Sequence, residues 1–184
     1  MSRLAVDQSV RAEPVQARRS RPASGQTATR GIDARAITDT DIFMLNQHLR
    51  ACDRQELVAS SGADIHKTLR DSVALSTHSR AFFRHGSLLC LMGVVPIAAL
   101  SGVGCPWLLG TTALVHCPRD LVRTAPPYIA AMLAAYPRLI NYVDARNTQS
   151  IRWLKRLGFV FAPAIPYGAS GLPFFPFELR ISCV

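Results

Sequence analysis

The chain has 184 residues, enough for one domain and a tail, and 49% of them are apolar, enough for a real core. Its net charge of +9 favours anionic partners, nucleic acid or acidic protein surfaces, although arginine-rich composition is also what a GC-rich coding sequence produces. No apolar run reaches the roughly 18 residues of a membrane helix, and Arg3, Asp7 and Arg11 interrupt the start, so neither a membrane span nor a signal peptide is expected.

Residues 1–31 form a region of their own. Arg3, Arg11, Arg18, Arg19, Arg21 and Arg30 stand against only Asp7 and Glu13, and there is no aromatic residue. Such a stretch cannot bury enough apolar surface to fold alone, so it is expected to be an extended basic arm, with nucleic acid or protein as its partner. Residues 32–184 make up the folded domain.

Residues 32–38 alternate as a first strand. Asp39 or Thr40 is expected to cap a helix carrying Ile42, Phe43, Leu45 and Leu49 at helical spacing, which runs on past the charged cluster Asp53, Arg54 and Glu56 until Ser60, Ser61 and Gly62 break it. A second helix, residues 63–75, presents Ile65, Leu69 and Val73. Residues 80–84 and 88–95 then pair as a hairpin about His85-Gly86. A Gly-rich connection leads to residues 107–115, apolar throughout and read as a central strand.

Pro118 and Asp120 mark a loop. Pro126 and Pro127 open a helix with Ile129, Met132, Leu133 and Tyr136 on its face. Tyr142 and Val143 end a buried strand. Asn147 or Thr148 caps a short helix whose Ile151, Leu154 and Leu157 face one side, widened by Trp153, while Arg152, Lys155 and Arg156 lie mostly on the other. Gly158 supplies a left-handed stop. Residues 174–181 form a last strand, kept near an edge or bulge by Pro176.

The five cysteines are Cys52, Cys90, Cys105, Cys117 and Cys183; their number is odd and their spacing suits no metal, so reduced thiols and no metal site are expected. Cys90 reads as core, and Cys117 beside His116 as a bystander.

The stretch NYVDARNTQSIRWLKRLGFVF, residues 141–161, resembles the C-terminal motif of the GNAT acetyltransferase family, with Asn147, Ser150, Gly158 and Phe159 at matching places. Leu154 stands where that family often has a Tyr that protonates the departing coenzyme A thiolate. The resemblance implies an α/β (α+β) fold with a central mixed sheet flanked by helices. It also implies a pyrophosphate loop after the central strand, where residues 116–123 offer no glycine, lose a donor at Pro118 and place Asp120 near the phosphates. Were acetyl-CoA bound, Arg119, Arg123 and Asn147 would be its contacts. The family commonly carries a Glu base on the central strand, and residues 107–115 hold no carboxylate; His116 is the nearest titratable group, and no catalytic residue is assigned.

A second resemblance runs over residues 32–180. The pieces LRACDRQEL, GVGCPWLLGT, YPRLINYVDARN, SIRWLKRLGF and PYGASGLPFFPFELR are similar to small phage proteins described as internal virion or core proteins, GNAT-like in fold. That likeness implies a virion protein, present in the host cytoplasm during assembly, with other phage virion proteins as partners in an oligomer. Trp107, Tyr167, Phe174 and Phe175 are candidate anchors. The expectation from sequence is thus a catalytically degenerate GNAT-like domain without cofactor; the alternative is an active N-acetyltransferase using acetyl-CoA.

Overall fold

The computed structural model describes residues 31–62, 64–98 and 102–181. All of the basic arm but Gly31, and Cys183, lie outside them. The chain begins with strand β1 (Asp33–Arg35) and helix α1 (Asp39–His48). The cap of α1 is Thr38, one residue before the expected position. Thr38 and Asp41 form a capping box, in which the Thr38 N–H donates to the Asp41 carboxylate at 2.8 Å. Arg35 donates to the same carboxylate at 2.6 Å.

The long helix expected next is two helices. The chain turns extended at Leu49, where the Arg50 N–H donates to the Gly110 carbonyl at 2.9 Å, and α2 (Ala51–Ser61) starts afresh. Gly62, at φ +61°, ends it. Asp64 caps α3 (Ile65–Leu75). The hairpin of β2 (His78–Arg84) and β3 (Ser87–Ala98) turns on His85 and Gly86, both at positive φ, as a two-residue turn of this twist requires. The next strand, β4 (Val103–Gly110), begins and ends earlier than the apolar run suggests. Residues Thr112–His116 form a 3-10 turn, and Pro118–Thr124, read from sequence as loop, is helix α4. Helix α5 (Pro126–Ala135), β5 (Arg138–Asp144), α6 (Thr148–Arg156), β6 (Val160–Phe161), β7 (Ile165–Tyr167) and β8 (Leu172–Arg180) follow.

The strands make one mixed sheet in the order β1-β2-β3-β4-β5-β8-β6, with β7 also on β8; only β4 and β5 run parallel. Side-chain alternation divides the core between the two faces. Phe82, Met92, Val94, Leu139, Val143 and Phe177 pack with Leu121, Ile129, Met132 and the half-buried apolar side of α6. Ala81, Leu88 and Leu91 pack with Ile42, Leu45 and Leu69 of α1 and α3. The expected α/β domain with a mixed sheet flanked by helices is therefore present.

One irregularity positions everything that follows. Strands β4 and β5 pair only at Val103–Arg138 and Gly104–Leu139, whereas β3 stays paired with β4 as far as Gly110 and β5 with β8 as far as Asp144. Beyond that point the sheet splits into a V. Pro106 supplies a reason. Its carbonyl faces β5, where the Asn141 side-chain amide donates to it at 2.8 Å. On a strand the N–H and C=O of a residue point to the same neighbour, so Pro106 has no donor to continue the ladder.

Candidate active site at the split strands

Two sets of side chains meet at the V, one on each face. On the α6 face is a groove of about 370 Å³. Its walls are apolar, from Leu108, Leu114, Val115, Leu121 and Trp153; its polar groups are Gln149, Ser150, Arg152 and Arg156 of α6, with Arg50 at the V. Arg152 and Arg156 are exposed, while Arg50 is only 5% exposed. The Trp153 indole N–H is shielded from solvent and has no hydrogen-bond partner among the described residues. A smaller cavity of about 50 Å³ lies apart, against His78, Met92 and Tyr128.

On the other face, α2 lies across the mouth of the V. Arg50, Asp53 and Glu56 fall at steps of three and so share a side of the helix. Asp53 accepts from the Gly110 N–H at 2.7 Å and from the Arg50 Nε and Nη2 at 2.9 and 2.7 Å. Arg50 also donates from Nη1 to the Gln149 Oε1 at 3.2 Å. Glu56 accepts from the Asn147 side-chain amide at 2.8 Å and from the backbone N–H of Asp144. Arg50 and Asp53 thus hold the end of β4, and Glu56 holds the end of β5 and the start of α6.

Glu56 is the perturbed acid of the site. Burial pushes its carboxyl up to about 7, and the nearby Asp53 and Asp144 push the same way against the two hydrogen bonds. Asp144 goes the opposite way: the Arg146 guanidinium, donating at 2.9 Å, holds it below the usual carboxylate range. A carboxyl raised to about 7 is poised to accept a proton at physiological pH.

The fold as a whole has counterparts among solved structures. Ribosomal-protein-S18-alanine N-acetyltransferase from Escherichia coli superposes with a TM-score of 0.59 at 14% identity, over 83% of this chain and 96% of that one. Spermidine N-acetyltransferase from Vibrio cholerae, in complex with CoA and spermine, gives 0.59 at 10% identity, over 81% and 95%. The acetyltransferase of the GNAT family from Streptococcus pneumoniae gives 0.54 at 14% identity, over 82% and 99%. The fold is that of the GNAT acetyltransferases. No family model and no curated protein matches the sequence.

Within this GNAT fold the residues singled out from sequence take definite places. Asn147 is buried and already engaged: its Oδ1 accepts from the Ser150 N–H at 3.2 Å, capping α6, and its amide holds Glu56. Arg119 and Arg123 are exposed on α4 and are not among the groove's lining residues; the arginines there are Arg50, Arg152 and Arg156. Leu154, at the family's Tyr position, packs half-buried against the core. Gly158, at φ +90°, is the stop after α6, and Phe159 is buried.

The strand before the expected phosphate loop ends at Gly110, where an added Cβ would lie 2.5 Å from Leu114 Cδ2 and 2.9 Å from Arg50 Nε, and whose N–H is taken by Asp53; residues 116–123 hold no glycine. The strand itself carries no carboxylate, and the raised carboxyl beside the split is Glu56 of α2. His116 is exposed, and the Cys117 thiol is buried and accepts from Arg84 at 2.9 Å. Of the candidate surface anchors, Phe174 is core at 1% exposure, and Trp107, Tyr167 and Phe175 are half-buried.

Proposed function

We propose that this chain is an N-acyltransferase: it binds an acyl-CoA thioester in the groove beside α6 and transfers the acyl group to an amine, with Glu56 taking the proton. The observation that carries this reading is a basic, apolar-walled groove on one face of the split between β4 and β5 and, on the other, a carboxyl raised to about 7. The residues fit such a ligand. Arg152 and Arg156 suit phosphates, and Leu108, Leu114 and Val115 suit a pantetheine arm. When bound, the thioester supplies an activated acyl group.

The protein's own residues do the rest. Asn147 and the Asp144 N–H hold the Glu56 carboxyl in one place, and burial keeps it basic enough to accept a proton from an ammonium near pH 7. Leu154 donates nothing, so the leaving thiolate takes its proton from solvent or from the amine. The solved relatives that share the fold are named for ribosomal-protein and polyamine acceptors. The test is thiol release from acetyl-CoA in the presence of spermidine or an N-terminal alanyl peptide. Turnover that falls about 10²-fold or more in Glu56→Gln is expected; turnover equal in variant and wild type removes Glu56 from the mechanism.

A second reading is a GNAT-fold domain that binds without turnover, which Leu154 favours because it can donate no proton; its service as a phage virion protein among other virion proteins rests on the sequence resemblance alone. Absence of thiol release with every amine, together with recovery of the chain in purified phage particles, would establish it.

A further inference from the structure

Arg50 is the N-cap of α2; its backbone N–H is held by the Gly110 carbonyl at the end of β4, and its side chain lines the groove with Leu108 and Trp153. Its guanidinium thus lies where β4 and β5 have parted, bonded to Asp53 on α2 and to Gln149 on α6. From this position, and resting on the acyl-CoA reading above, we infer that Arg50 receives the acyl carbonyl oxygen at the inner end of the groove.

Charge and exposure orient the ligand. Arg152 and Arg156 are exposed at the outer part, where phosphates keep some hydration, whereas Arg50 is 5% exposed and marks the desolvated end, which takes the acyl group. The Gly110 backbone N–H at the end of β4 is spent on Asp53. Arg50 has N–H groups in hand. Its bonds to Asp53 use Nε and one Nη2 hydrogen, and its bond to Gln149 uses one Nη1 hydrogen, three of five donors in one plane. Asp53 fixes that plane before any ligand arrives, so no reorganisation is needed when the carbonyl oxygen gains negative charge. Asp53 also cancels the net charge of the guanidinium, so the end of the groove takes a neutral acyl group rather than one ending in a carboxylate.

Calorimetry on the full chain separates this role from the reading beneath it, with acetyl-CoA and S-ethyl-CoA as probes: they share a carbon skeleton, but only the first has a carbonyl oxygen. The wild type is expected to bind acetyl-CoA about tenfold more tightly, the worth of one charge-assisted hydrogen bond. Arg50→Lys keeps a cation against Asp53 but loses the planar fork, and is expected to bind both probes with the S-ethyl-CoA affinity. Gln149→Glu is the second variant; it puts a carboxylate on the free N–H groups, sits at the N-terminus of α6 where negative charge is favoured, and is expected to abolish the preference even if Arg50→Lys does not fold. Equal wild-type binding of the two probes, or a preference surviving in either folded variant, overturns the role of Arg50 and leaves acyl-CoA binding intact. No binding of either probe overturns both.

Discussion

A carboxyl packed beside two other acids is costly to ionise, and Glu56 bears that cost in the folded state alone. Its pKa of about 7 lies above the ordinary 4.5, so its contribution to stability is intact below about pH 4.5 and is lost as pH rises towards 7. At about 1.4 kcal/mol per pK unit the loss is at most about 3.5 kcal/mol, and less because the side chain keeps some contact with solvent. Glu56→Gln cannot ionise. Its melting temperature is expected to hold nearly level from pH 5 to pH 8, while that of the wild type falls by several degrees. A wild-type Tm no more pH-dependent than the variant's would mean that the carboxyl is not raised. On the proposed mechanism the same substitution lowers turnover about 10²-fold or more, so the group that strains the fold would be the one the reaction uses.

At the scale of elements, α2 organises the site. Its first half holds the ends of β4 and β5. Its second half is fixed by the turn between β7 and β8, where the Ala169 and Ser170 N–H groups donate to the Ser60 and Ala59 carbonyls, both at 3.1 Å. Gly168 makes that approach feasible. It has φ +73°, and a Cβ there would lie 2.5 Å from Ser60 Cα. Gly168→Ala should therefore cost about 2 kcal/mol or more and weaken acyl-CoA binding through α2. A Tm within a degree of wild type would show that the turn does not brace the helix.

These contacts explain what was legible in the sequence. Helix α6 was readable because its signals are local: Asn147 caps it, Gly158 stops it, and three apolar residues mark its face. The His85-Gly86 hairpin was readable for the same reason. The end of β4 was not. The run from Trp107 to Val115 has no period, and what stops the strand is Leu49 and Arg50 arriving at Gly110 and Thr111 from about 60 residues away. Arg50, Asp53 and Glu56 are likewise spaced as a surface cluster would be, and nothing local shows that a split sheet lies beneath them. Their step of three on a helix with little apolar character was the one available hint.

For the molecule as a whole, the excess of arginine gains a location. The net charge of +9 is spread along the chain, but Arg152 and Arg156 stand over the groove with no carboxylate among its lining residues. Long-range attraction of a polyanionic ligand follows, and with it a dependence on ionic strength. The measurement that tests the account most directly is calorimetric titration of the full chain with acetyl-CoA, in the wild type and in Arg152→Ala/Arg156→Ala, at low and at high salt. Micromolar binding by the wild type is predicted, weakened about tenfold or more in the variant and by added salt. No heat of binding, or equal affinity in wild type and variant, would contradict the assignment of the groove to an acyl-CoA ligand.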